Sequence, residues 1–228
     1  MGSLTCDAAV VGGGIVGAAL AYELATAGAS VVLVDRRDHG RATDAGAGIL
    51  SPDTSPHPDP AWYAFARAAG DHYPVLAERL AGDGCADTGY DRCGLLSVVR
   101  EEHEDPWFEE LATLALPRAP GVLREVDVAE ARRLFPPLGE VWRALYHPDA
   151  ARVDGRRFAA ALVAAGERRG VVHVAGEGRL RTRGSTVTGV ATADHEVRCG
   201  AVAVAGGAWT AALEGQLGTS IPVEPLKG

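Results

Sequence analysis

The chain has 228 residues, of which 47% are hydrophobic and 23% charged, and it carries a net charge of −8 at pH 7. The length allows one large domain or two small ones, and the composition excludes a wholly disordered chain. The negative balance excludes general attraction to nucleic acid or to anionic membrane surfaces. Four cysteines, Cys6, Cys85, Cys93 and Cys199, show no C-x-x-C spacing and no zinc-like pairing with histidine. Reduced thiols in a cytoplasmic protein with no metal are therefore expected. The apolar stretch 8–25 contains Glu23 and three central glycines, which argues against a membrane span.

In chain order, residues 7–11 read as a short apolar strand that ends at Gly12-Gly13-Gly14. Residues 15–27 read as a buried helix, with Gly28 placed to end it. The β-branched run 30–34, closing on Asp35, suits a parallel strand covered on both faces. Residues 36–60 are polar, rich in Gly and Pro, and read as loop. Apolar residues at helical spacing predict a helix over 61–80, kinked or split at Pro74. A strand at 94–99, helices at 104–116 and 127–135, and a strand at 144–146 follow.

Residues 156–168 form the next predicted helix, with Asp154 as its N-cap. Strands are expected at 171–174, in a hairpin at 180–182 and 187–191, and at 201–204. Four apolar runs (7–11, 31–35, 171–174 and 201–204) should share one parallel sheet. The fold class is thus α/β. A discontinuous nucleotide-binding domain is expected over 1–87 and 148–228, with a separate lobe at 88–147.

The sharpest motif is Gly12-Gly13-Gly14-Ile15-Val16-Gly17, a G-x-G-x-x-G that follows a strand and opens a helix. An acid, Asp35, closes the next strand 23 residues after Gly12. This is the dinucleotide-binding context. Gly12 permits the tight turn, Gly14 lets a pyrophosphate approach the backbone, and Gly17 lets the helix pack close to the sheet. Free N–H groups at the helix start favour phosphate, and Asp35 can accept from ribose hydroxyls. The plain alternative is a glycine-rich turn in a non-binding α/β protein. The glycines do not separate FAD from NAD. Arg36 and Arg37 suit an NADP 2′-phosphate, whereas Asp35 repels one.

The segment Gly40-Arg41-Ala42-Thr43-Asp44-Ala45-Gly46-Ala47-Gly48-Ile49-Leu50 resembles the small-residue loop of the D-amino-acid oxidase superfamily, especially its glycine oxidase and sarcosine oxidase branches. The resemblance implies FAD, with this loop running along the pyrophosphate toward the flavin. It implies cofactor contacts from Thr43, Ala45, Gly46, Ala47 and Gly48, and none from Asp44, which stands where the family commonly has serine. Val153-Asp154 and the strand after the 156–168 helix match the family's second strand–helix–strand and bring Arg179 near the adenine. The run AVAVAGGAW at 201–209 matches a strand end near the cofactor and adds Gly206 and Trp209. Residues 221–228 resemble the strand that leaves the FAD-binding domain.

The implied activity is oxidation of a small amine or amino acid to an imine. Family members continue beyond this point, so an incomplete α+β substrate-domain lobe is expected in 88–147. A partner polypeptide supplying the other half is one expectation. A catalytically inactive nucleotide-binding fragment and an NAD(P)-dependent dehydrogenase are the alternatives.

No catalytic residue is assigned. His147 is expected in a loop, Trp62, Trp107 and Trp142 in core or hinge packing, and Tyr90 and Trp209 as pocket walls. Residues 101–105 are expected to form a solvated turn.

Overall fold

The computed structural model describes residues 2–225. In chain order the first elements are β1 (Gly2–Val11), α1 (Ile15–Thr26), β2 (Val31–Asp35), α2 (Ala42–Ala45), β3 (Ile49–Leu50) and α3 (Pro60–Gly82). Next come β4 (Tyr90–Asp91), β5 (Leu95–Val99), α4 (Asp105–Ala115), β6 (Arg124–Val126), α5 (Val128–Leu134), β7 (Arg143–His147) and β8 (Ala151–Val153). The chain closes with α6 (Gly155–Arg168), β9 (Val172–Ala175), β10 (Arg179–Arg183), β11 (Thr186–Ala191), β12 (His195–Val204) and α7 (Glu214–Leu217). These elements form two units. One comprises Met1–Ala47, Ala77–Gly89 and Asp154–Gly228, the other Gly48–Leu76 and Tyr90–Val153.

The first unit is built on a six-stranded sheet in the order β10-β11-β12-β1-β2-β9. Its four expected strands are present, and β12, β1, β2 and β9 run parallel. The hairpin β10–β11 extends the sheet antiparallel to β12. The continuous apolar runs are explained by burial on both faces. Val10, Val31, Leu33 and Val171 meet Ala21 of α1 and Val163 of α6 on one face. Ala9, Val11, Val32, Val34 and Val174 form the other face with Leu180 and Val190 of the hairpin. Each fully buried Val or Leu contributes about 1.5–3 kcal/mol. Asp154 caps α6 as expected, accepting from the Arg156 and Arg157 amides at 3.0 and 3.2 Å.

The second unit holds two small antiparallel sheets, β3-β8-β4 and β5-β7-β6. Helix α4 packs Phe108, Leu111 and Ala115 against Val99, Leu123 and Leu145.

Several expectations are corrected. Segment 36–60 is not all loop: it contains α2, β3 and a 3₁₀ turn at Pro52–Thr54. Helix α3 is not split at Pro74, which lies inside one helical segment. The ring costs about 3 kcal/mol in a helix interior, and burial of Leu76 and Leu80 offsets that cost. Residues 221–225 form no strand. Pro222 and Pro225 have no N–H to donate, and the Val223 amide turns back onto the Ile221 carbonyl at 2.7 Å. Residues 226–228 of that expected strand lie outside the described residues.

Trp107 and Trp142 are about half exposed rather than core, as is Phe135. Trp62 stacks on His57 at 4.5 Å. His147 ends β7 and is 4% exposed, so it is no loop residue. Segment 48–76 packs with 90–153, whereas the expected boundaries placed it with 1–47. The reason is pairing: β3 binds β8, and Asp53 is held by Arg67 and His147. Among the described residues no helix is long and apolar enough to cross a membrane.

Candidate cofactor-binding site

A cavity of about 480 Å³ opens at the carboxyl ends of β1, β2, β9 and β12. That is the position where open α/β sheets bind ligands, and the volume falls within the usual range for small-molecule sites. All of its lining belongs to the first unit. Strand ends supply Val11, Val34, Asp35 and Val204, and the turns that follow them, the starts of α1 and α2 and the 3₁₀ segment after β12 supply most of the rest.

The glycine turn works by two different demands. Gly12 has φ of 109°, and a Cβ there would run into the Ala205 carbonyl. Gly17 sits on the first turn of α1, where a Cβ would collide with the Gly12 carbonyl oxygen. Gly17 therefore sets the helix-to-strand approach and does not line the cavity. Gly14 is different. Among the described residues beyond its chain neighbours, a Cβ built on it comes near Thr43 Oγ1 alone, at 3.0 Å, so its cavity side is open.

Gly14 is also the N-cap of α1 and provides no side-chain cap. Thr43 Oγ1 accepts from the Ile15 amide at 3.0 Å. Among the described residues, the Val16 and Gly17 amides find no protein acceptor, which leaves donors and the positive end of the helix dipole for an anion. Asp35 leans over the turn, its Cγ 2.8 Å from where a Gly13 Cβ would lie. Its side chain is 12% exposed.

Of the sequence-predicted residues, Gly12, Gly13, Gly14, Ile15, Val16, Asp35, Arg36, Thr43, Gly206 and Trp209 line this cavity. Gly17, Ala45, Gly46, Ala47, Gly48 and Arg179 do not. Gly48, at φ of 70°, packs on the Val153 backbone, so a structural demand accounts for it. Near Arg179 the lining is instead Gly176, Glu177 and Gly178, on the turn after β9. The Gly176 amide donates to the Asp35 carbonyl at 3.0 Å, and this bond carries the turn to the cavity. The Gly-x-Gly at 176–178 was the sequence signal for it. Arg41 was also missed, though it lines the cavity between two carboxylates, 3.5 Å from Asp35 and 3.2 Å from Asp44. Arg36 is held by Asp38 at 2.6 Å. Among the described residues no cluster of ligands fits a metal.

The second unit carries a separate polar cluster. Asp53, 1% exposed, accepts from Tyr63 at 2.6 Å and from Arg67 at 2.9 and 3.0 Å. His147 Nε2 lies 3.4 Å from Asp53, and Nδ1 lies 3.2 Å from Ser51 Oγ. Burial lowers the His147 pKa against the pull of Asp53 and Asp149, so the imidazole is held neutral. Burial and the Asp53 carboxylate raise the Tyr63 phenol.

Comparison with known proteins agrees with the cavity. A family model described as "FAD dependent oxidoreductase" matches residues 7–228. The chain is 37% identical to the protein named "Uncharacterized oxidoreductase YurR" of Bacillus subtilis, over 94% of this chain and 58% of that protein. It is 35% identical to a glycine oxidase of Pseudomonas aeruginosa, over 96% of this chain and 60% of the relative. Among solved structures, the iminodiacetate oxidase of Chelativorans sp. BNC1 superposes with a TM-score of 0.86 at 33% identity, covering 96% of this chain and 60% of that one. The chain thus spans about three fifths of the length of the relatives it matches. With the glycine turn, the acid at the end of β2 and a match over nearly every residue, the chain belongs to the FAD dependent oxidoreductase family, whose members are flavoproteins.

Proposed function

We propose that this chain holds FAD in the cavity of its first unit, as part of an oxidoreductase that converts a small amine or amino acid to an imine. One observation carries the reading: a cavity at the ends of four parallel strands joins α1 amides, unpaired among the described residues, to an acid at the end of β2. Under it, Gly12, Gly13, Gly14, Ile15 and Val16 receive the pyrophosphate, with Thr43 beside them. Asp35 takes the ribose hydroxyls of the adenosine. Gly17 supports the site by close packing. Arg36 borders the adenosine end, Gly206 and Trp209 border the opposite wall, and the turn at Arg179 flanks the adenine. Ala45, Gly46, Ala47 and Gly48 lead the chain onward along the cofactor.

When bound, FAD supplies the hydride acceptor. The protein's part is to orient it, hold its charge and exclude water. The relatives include a glycine oxidase and an iminodiacetate oxidase, which supports a small amine or amino-acid substrate. A cytoplasmic setting is part of the reading and is supported by four free thiols. So is division of the work: the chain's nucleotide-binding unit acts with substrate-binding elements of the whole protein, including those of a partner polypeptide.

The test is a visible spectrum after incubation with FAD and removal of free ligand. Retained flavin bands are expected. Retention of NAD(P)H with no retained flavin would contradict the reading.

A further inference from the structure

The charged lining of the cavity is unfavourable for the anion it is built to receive. Three carboxylates, Asp35, Asp38 and Glu177, face it together with two guanidinium groups, Arg36 and Arg41. Both cations are already engaged. Arg36 is taken by Asp38 at 2.6 Å, with Glu177 at 3.9 Å. Arg41 places Nε and one terminal nitrogen on the two oxygens of Asp44, both at 3.2 Å, and its other terminal nitrogen 3.5 Å from Asp35. A fork gripping both carboxylate oxygens is a strong form of ion pair. It is also partly shielded, with Arg41 27% and Asp44 32% exposed.

We infer that Asp44 is an affinity-setting residue that holds Arg41 back from the diphosphate. Asp44 and Arg41 both lie at the α2 end of the loop, Arg41 as N-cap and Asp44 in its first turn. Thr43, between them, already reaches the amide of Ile15 at the start of α1. Arg41 thus stands two residues from the hydroxyl that meets the start of α1, and it lines the same cavity as Ile15 and Val16. When a diphosphate enters, Arg41 exchanges the Asp44 carboxylate for phosphate oxygens. The same movement releases Asp35 to accept from ribose hydroxyls. Binding thus costs the rupture of one internal ion pair, and Asp44 sets how large that cost is.

The inference rests on the FAD reading above. Calorimetric titration of the whole chain with FAD, ADP and adenosine, for wild type and Asp44→Asn, tests it. FAD and ADP should bind the variant more tightly by about fivefold, the scale of one part-buried ion pair. Adenosine, which carries no phosphate, should bind both proteins equally. Arg41→Met should weaken FAD and ADP in either background, and Asp44→Ser should reproduce Asp44→Asn. FAD affinity that is unchanged or lower in both Asp44 variants would overturn the inference alone, as would equal tightening for adenosine. Absence of FAD binding by any of these folded proteins would overturn the FAD reading and the inference with it.

Discussion

The cavity of the first unit and the Asp53 cluster of the second handle polar groups in opposite ways. In the first unit, the clusters packed on the two faces of the sheet are largely apolar, and charged groups gather at strand ends around an open cavity. Its donors are α1 amides left without acceptors among the described residues. In the second, a carboxylate is sunk into the structure and saturated: Asp53 is closed off by Tyr63, Arg67 and His147. Unsatisfied groups at an accessible surface are fit to bind a ligand. Satisfied groups in the interior fix a segment in place, because breaking a buried pair leaves one charge unpaired. The contrast supports the proposal of ligand binding at the glycine turn and gives the Asp53 cluster a structural role.

The largest expected effect breaks the first unit itself. Gly17→Val drives a side chain into the Gly12 carbonyl, a backbone atom that cannot yield. A loss of at least about 3 kcal/mol is expected, at the scale of severe overpacking, and thermal melting should show it as little or no folded protein. Gly14→Val should separate binding from folding. A Cβ there meets the Thr43 hydroxyl and no backbone atom among the described residues, so the melting temperature should stay near wild type while FAD binding is lost. Loss of both in Gly14→Val would remove the distinction drawn between these glycines.

Next is the second unit. Asp53→Ala strands Tyr63 and Arg67 and should cost about 2–4 kcal/mol in denaturant unfolding, reduced from a fully buried pair because Arg67 is 44% exposed. If Asp53→Ala is neutral, the cluster is no structural anchor.

A smaller effect is a dependence on pH. Burial lowers the folded-state pKa of His147, so the unfolded chain binds its proton first as pH falls. The contribution of the neutral imidazole is present above pH of about 6.5 and is lost as pH drops through the interval below it. His147→Gln should flatten the slope of unfolding free energy over that interval. An unchanged slope would mean that the imidazole titrates normally in the folded state.

Much of the first unit was legible in the sequence because its signals are local. Four continuous apolar runs marked the parallel strands, and Gly12, Gly14 and Asp35 lie within one βαβ segment. Thr43 was legible by resemblance alone. The lining at Gly176–Gly178 carries a visible Gly-x-Gly, but what brings that turn to the cavity is β9 lying beside β2, which is a tertiary choice. In the sequence Arg41 is one arginine in a polar stretch; the positions of Asp35 and Asp44 in the fold show that it is held. The Asp53–His147 pair joins residues remote in the chain, and neither carries a local pattern. The expected final strand does not form over 221–225: Ile221 and Val223 are hydrophobic enough for one, but the prolines at 222 and 225 remove the donors that a strand needs.

The central claim is that the cavity of the first unit binds the adenine-nucleotide half of FAD. It is tested most directly by titrating flavin fluorescence with the folded chain, in the presence and absence of ADP. Saturable one-site quenching that ADP reverses is predicted, with Asp35→Ala weakening it by about 1–3 kcal/mol, the scale of hydrogen bonds to a charged group. Quenching that ADP does not reverse, or no quenching by a chain shown to be folded, would contradict the account.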